Sequence, residues 1–154
     1  MSLIGKGLLP LFLKTSDSKL PDRFSRAVRS RIMSSIRGKN TRPEKLVCSI
    51  LRSNKIRFKK HVRSLPGVPD IVILDAKIAI FVDGDFWHGW RFPTWSHKFT
   101  PYWREKIVGN RRRDSRNFAL LRRRGWKVIR IWEHQLKRSP LTCLSKLTNN
   151  NRGH

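Results

Sequence analysis

A chain of 154 residues with 35 Lys and Arg against 10 Asp and Glu carries a formal net charge of +25 and a pI near 11.7. That length fits one domain, and six Trp, eight Phe and 38% hydrophobic residues exclude a wholly disordered basic tail. The two cysteines, Cys48 and Cys143, exclude a disulfide framework and a cysteine zinc site, and no window reaches the roughly 18 apolar residues of a membrane span. The excess of cations predicts a polyanionic partner, nucleic acid before anionic lipid, because each neutralised phosphate releases counterions. The cysteine usage and the missing span predict a cytosolic protein.

Residues 1–22 mix Gly, Pro, Ser and Lys without periodicity and read as a flexible basic arm, residues 23–139 as the folded domain and 140–154 as a loose tail. Helical spacing of Val28, Ile32, Met33 and Ile36 predicts a first helix over Arg26 to Arg37, stopped by Gly38. A second helix starts at Thr41, buries Leu46, Val47, Ile50 and Leu51, and ends near Asn54. Three strands follow, Ile56 to Val62, Asp70 to Leu74 and Lys77 to Val82, the last two apolar enough to be buried on both faces. Then come a long aromatic loop from Gly84 to Pro101, a helix from Tyr102 to Arg124 ended by Gly125, and a strand from Trp126 to Trp132. Strand, helix, strand predicts a parallel crossover. The order α-α-β-β-β-α-β is an α/β fold with helices on a mixed central sheet.

The chemistry-bearing residues gather at strand ends. Asp70 heads a buried strand after a Pro-Gly turn and Asp83 closes the neighbouring antiparallel strand, so a hairpin brings Asp70 and the Val82–Asp83 backbone to one end of the sheet. Hard oxygen donors there suit Mg²⁺; a simple strand cap at Asp70 is an equal alternative. On the long helix, Trp103, Ile107, Phe118 and Leu121 form one stripe with Asp114 in its middle, and a core-facing carboxylate demands a partner: an arginine, a histidine or a metal. Thr41 and Glu44 have capping-box spacing, which also sets a carboxylate at a helix start beside the sheet. His88, close to Asp83, has the setting of a general base, whereas His61, His97, His134 and His154 have none. The loop aromatics are too many for one conventional core: apolar wedges of this kind unstack DNA, and a satellite core under the loop is an equal alternative. Arg111, Arg112, Arg113, Arg116 and Arg122 to Arg124 lie mostly off the apolar stripe and form a phosphate-binding face.

The run Met33 to Glu44, the run Leu65 to Asp70, and Phe81-Val82-Asp83-Gly84-Asp85-Phe86-Trp87-His88 resemble, in that order, the very-short-patch-repair (Vsr) endonucleases. Tyr102 to Ile107, Asn110 to Asp114, Gly125 to Val128 and Ile131 to Glu133 continue the likeness, which spans Arg29 to Leu136. It implies a restriction-endonuclease-like fold and a bacterial, nucleoid-associated enzyme. The implied activity is Mg²⁺-dependent nicking of double-stranded DNA 5′ of the thymine in a T·G mismatch, the product of 5-methylcytosine deamination.

The resemblance assigns metal binding to Asp70 and the Val82 carbonyl, catalysis to His88, support of that histidine to Asp114, and contact with the metal's water to Glu44. It assigns the intercalating set to Met33, Phe86, Trp87 and Trp103, with Lys39, Arg111, Arg112 and Arg113 on the DNA backbone. The zinc ligands of the best-known member fall here on Asp85, Trp90, Phe92 and His134, so no zinc is expected and aromatic packing must take its place. Asp83 stands where a second histidine often occurs and adds a carboxylate near Asp70. A monomer acting ahead of mismatch- and excision-repair proteins is expected. A related nuclease cutting matched DNA is the second reading and a non-catalytic DNA-binding module the third.

Overall fold

The computed structural model describes residues 25–35, 38–85, 87–140, 142, 143 and 145. The predicted arm and the end of the tail lie outside them, as do Phe86 and the side chain of Met33. The described residues fall into two compact units, one drawn from residues 38–85 and 112–154 and the other from 1–37 and 86–111. The elements in chain order are α1 (Arg26–Ser35), α2 (Arg42–Ser53), β1 (Lys59–Lys60), β2 (Ile71–Ile73), β3 (Ile78–Asp83), α3 (Phe92–Trp95), a 3-10 turn (Ser96–Lys98), α4 (Pro101–Arg123), β4 (Lys127–Trp132) and α5 (Glu133–Arg138).

In the first unit the strands form one mixed sheet in the order β1-β2-β3-β4, the first two pairings antiparallel and β3–β4 parallel. Strand alternation sorts its side chains. Ile71, Ile73, Ile78, Ile80, Ile129 and Ile131 pack with Val47, Cys48 and Leu51 of α2 and with Leu136 of α5. Ala79 and Phe81 pack on the other side with Phe118 and Leu121 of α4. A sheet covered on both faces explains why β2 and β3 are apolar without a break.

Two expectations are corrected. The strand expected over Ile56 to Val62 is only two residues long, and His61, with a left-handed φ of 49°, ends it. The sequence from Glu133 onward also forms α5, whose single buried residue, Leu136, leaves no periodicity to read.

The second unit holds α1, α3, the 3-10 turn and the first half of α4. Its core is Phe92, Phe99, Trp103 and Ile107, with Trp87 and Val108 packed against it. The segment expected as a long aromatic loop therefore contributes Trp87, Phe92 and Phe99 to a small core of its own with Trp103 and Ile107 of α4. Gly89 makes this possible: its φ is +68°, and a Cβ there would lie 2.8 Å from Ile107.

Candidate active site

The sheet unit gathers one group of three potential metal ligands among the described residues: Glu44, His61 and Asp70, with one ligand atom of each within 4.8 Å of the others. Each arrives by a different local device. Glu44 is the third helical residue of a capping box: its amide reaches the Thr41 hydroxyl at 3.4 Å, and its carboxylate accepts the Thr41 and Asn40 amides at 3.3 and 2.8 Å. Its side chain is 3% exposed. Asp70 follows a turn closed by the Val68 amide on the Leu65 carbonyl at 3.0 Å, with Pro66 and Gly67 in its centre and a φ of +75° at the glycine. The hairpin then lets Asp70 Oδ2 accept the Val82 amide at 2.8 Å.

His61 comes from the end of β1, where its amide donates to the Asp70 carbonyl at 3.1 Å. Nε2 lies 3.4 Å from Glu44 Oε2 and Nδ1 lies 3.9 Å from Asp70 Oδ1. Nε2 is buried and has no hydrogen-bond partner. Two carboxylates beside an imidazole with an unsatisfied nitrogen, one ligand atom of each lying within 4.8 Å of the others, are a donor set that fits a divalent cation. The sequence reading passed over His61. Its signal was the β1–β2 register, in which Lys60 pairs with Ile71 and the next residue therefore meets Asp70. Nearby on α2, burial pushes the Cys48 thiol above its usual pKa and so keeps it protonated at neutral pH.

Asp83 takes a different place from the one expected beside Asp70. One residue beyond Val82, it turns with Phe81 toward the α4 side of the sheet and forms an ion pair with Arg130 Nε. The same guanidinium donates from Nη2 to Asp114 Oδ2 at 3.0 Å and stacks over Trp132 and Phe118, at 4.3 and 5.1 Å from their ring centres. Of the partners open to Asp114, the structure supplies an arginine, from β4.

The aromatic unit carries His88, Trp87, Trp103, Lys106 and Arg111. Trp87 is half-buried and meets Trp103 edge to face at 5.6 Å. Trp103, expected among the intercalating residues, is only 1% exposed and belongs to the core beneath Trp87. The turn bearing His88 is fastened to α4 by Asn110 Nδ2 donating to the Trp87 carbonyl at 3.0 Å and Arg111 donating to the Gly89 carbonyl at 2.9 Å. Arg111 therefore has a structural task in addition to its charge. In the sheet unit Lys39, Arg112 and Arg113 are exposed.

Of the positions matched to zinc ligands, Phe92 lies in the aromatic core, while His134 Nδ1 is 2.6 Å from Asp85 Oδ1. His134, like His61, thus has a carboxylate neighbour that its sequence context did not announce. No helix among the described residues is long and apolar enough to cross a membrane.

Comparison with known proteins identifies the family. The family described as "DNA mismatch endonuclease Vsr" matches residues 21–93. A relative named type II nicking enzyme V.XorIIP, from Xanthomonas oryzae pv. oryzae, is 43% identical over 119 residues, covering 76% of this chain and 88% of its own. The DNA mismatch endonuclease Vsr of Escherichia coli is 35% identical over 127 residues, covering 80% and 81%. Type II nicking enzyme V.NmeAIP of Neisseria meningitidis serogroup A is 35% identical over 133 residues, covering 83% and 92%.

Proposed function

Because the chain belongs to the Vsr family of DNA mismatch endonucleases, we propose that it hydrolyses one strand of duplex DNA on the 5′ side of the thymine in a T·G mismatch, with Mg²⁺ as cofactor. Its mixed sheet flanked by helices is the restriction-endonuclease-like architecture of that family. The observation that carries the reading is the convergence of Glu44, His61 and Asp70 at one end of the sheet. A divalent ion bound there supplies an activated water and neutralises charge on the scissile phosphate.

The chain's own groups do the rest. The Val82 amide orients the Asp70 carboxylate and leaves Oδ1 directed toward His61. The capping box holds Glu44 at the start of α2, where it can hydrogen-bond a water. His88 serves as general base or as a donor to the charge that develops on the phosphate. Phe86 and Trp87 enter the stack beside the mismatch, where unpairing costs least. Lys39 and the exposed arginines of α4 neutralise backbone phosphates and fix the register.

The test is strand-resolved cleavage of end-labelled duplexes that differ only in one T·G or T·A pair, with Mg²⁺ and with EDTA. Metal-dependent nicking of the T·G duplex just 5′ of the thymine is expected, leaving 5′-phosphate and 3′-hydroxyl ends. Equal cutting of both duplexes would replace this reading with that of a nuclease for matched DNA.

A further inference from the structure

We propose that His61 is a nitrogen ligand that makes the Glu44–His61–Asp70 group a mixed nitrogen–oxygen site, so that it binds a first-row transition cation more tightly than Mg²⁺. The inference rests on the reading of this group as the metal site of the nuclease and adds to it the identity of a ligand and the class of cation selected.

The backbone commits to this placement at a cost. His61 has a φ of 49°, a conformation that disfavours a residue with a Cβ by about 1–2 kcal/mol. It is held there by the hydrogen bond that its amide donates to the Asp70 carbonyl. The consequence is an imidazole with 16% of its side chain exposed and each nitrogen directed at a different carboxylate, 3.4 Å from Glu44 and 3.9 Å from Asp70. Neither approach is a hydrogen bond, and Nε2 is shut off from solvent. A buried ring nitrogen without a partner is expensive, and a cation lying between it and the carboxylates satisfies all three groups together.

Mg²⁺ favours an all-oxygen shell and gives up its waters reluctantly, whereas imidazole nitrogen raises affinity along the first-row series from Mn²⁺ through Co²⁺ to Ni²⁺. One nitrogen beside two carboxylates strengthens the preference for a transition cation over Mg²⁺ beyond that of a carboxylate pair alone. The competing account of the same geometry is an imidazolium that bridges Glu44 and Asp70 electrostatically and binds no metal.

Co²⁺ is the probe, because its visible bands report directly on its donors. The full chain is titrated with Co²⁺ and then back-titrated with Mg²⁺, as the native protein, His61→Gln and Asp70→Asn. The native protein should bind Co²⁺ at least about tenfold more tightly than Mg²⁺. His61→Gln should lose about tenfold in Co²⁺ affinity and less than about twofold in Mg²⁺ affinity, with its bands shifted as a nitrogen donor leaves. Asp70→Asn should lose the bound spectrum. Equal affinities for the two cations, bands unchanged in His61→Gln, or parallel losses for both cations would overturn the proposal.

If His61→Gln does not fold, the proton NMR spectrum of the native Co²⁺ complex decides. A hyperfine-shifted imidazole N–H, absent from Asp70→Asn, supports ligation, and its absence overturns it. The nicking assay keeps the two readings apart. Co²⁺ preference without nicking of the T·G duplex removes the mismatch nuclease and leaves the ligand. Nicking with unchanged Co²⁺ affinity in His61→Gln does the reverse.

Discussion

Asp70 draws the sharpest prediction at the scale of single residues, because its two oxygens have different surroundings. Oδ2 is occupied by the Val82 amide and Oδ1 faces His61. Asp70→Asn preserves the shape and removes the charge, so strand nicking should fall by about a thousandfold, the equivalent of several kcal/mol of lost charge stabilisation. DNA binding measured by fluorescence anisotropy in EDTA should stay within about twofold. A matching loss in binding would move Asp70 out of the chemistry.

Arg130 is the second pivotal residue. It is the cation between Asp83 and Asp114, whose side chains are 5% and 12% exposed. Arg130→Met leaves two low-exposure carboxylates without it and should destabilise the sheet unit by about 3 kcal/mol in urea unfolding. Adding Asp114→Asn to that variant should recover part of the loss, because the two positions share one network. Simple additivity of the two effects would show that the pair is not coupled. The need for such a partner was legible in the sequence, since Asp114 sits in an apolar stripe. The partner's identity was not, because Arg130 reaches it only through the pairing of β4 with β3.

Among the elements, the bounds, cap and carboxylate of α2 were read almost to the residue because they are local signals, whereas Leu46, expected in the buried stripe, is 39% exposed and Cys48 is buried instead. β1 and α5 were not read so closely, for different reasons. The first is ended by the left-handed His61, and the second is too short and too polar to show a period. The turn before β2 is the element on which the metal group depends most. At Gly67, with φ +75°, an added Cβ would come within 3.0 Å of the Asn117 side chain. Gly67→Ala should therefore destabilise the sheet unit by about 1–2 kcal/mol, seen as a lower urea midpoint. An unchanged midpoint would show that the turn relaxes without strain.

For the molecule as a whole, charge was the most legible property and register the least. A net charge of +25 announces a polyanion before any element is assigned. His61 became visible as a site residue only once the hairpin was paired. The charge has a quantitative consequence on DNA. Arg112 and Arg116 are exposed on α4, and replacing both by Ala should make the slope of log K against log salt shallower by about 2. The weakening should be similar on T·G and T·A duplexes. An effect confined to the mismatched duplex would place these arginines at the bases instead of the phosphates.

The carboxylate that faces His61 also receives the amide protons of Asn40 and Thr41, so anything that withdraws electron density from Glu44 weakens its pull on those two protons. Their chemical shifts and exchange rates thus form a natural gauge at the start of α2, read without a label and without turnover. A ligand reaching the carboxylate registers on this gauge, whereas DNA that touches only the arginines leaves it still.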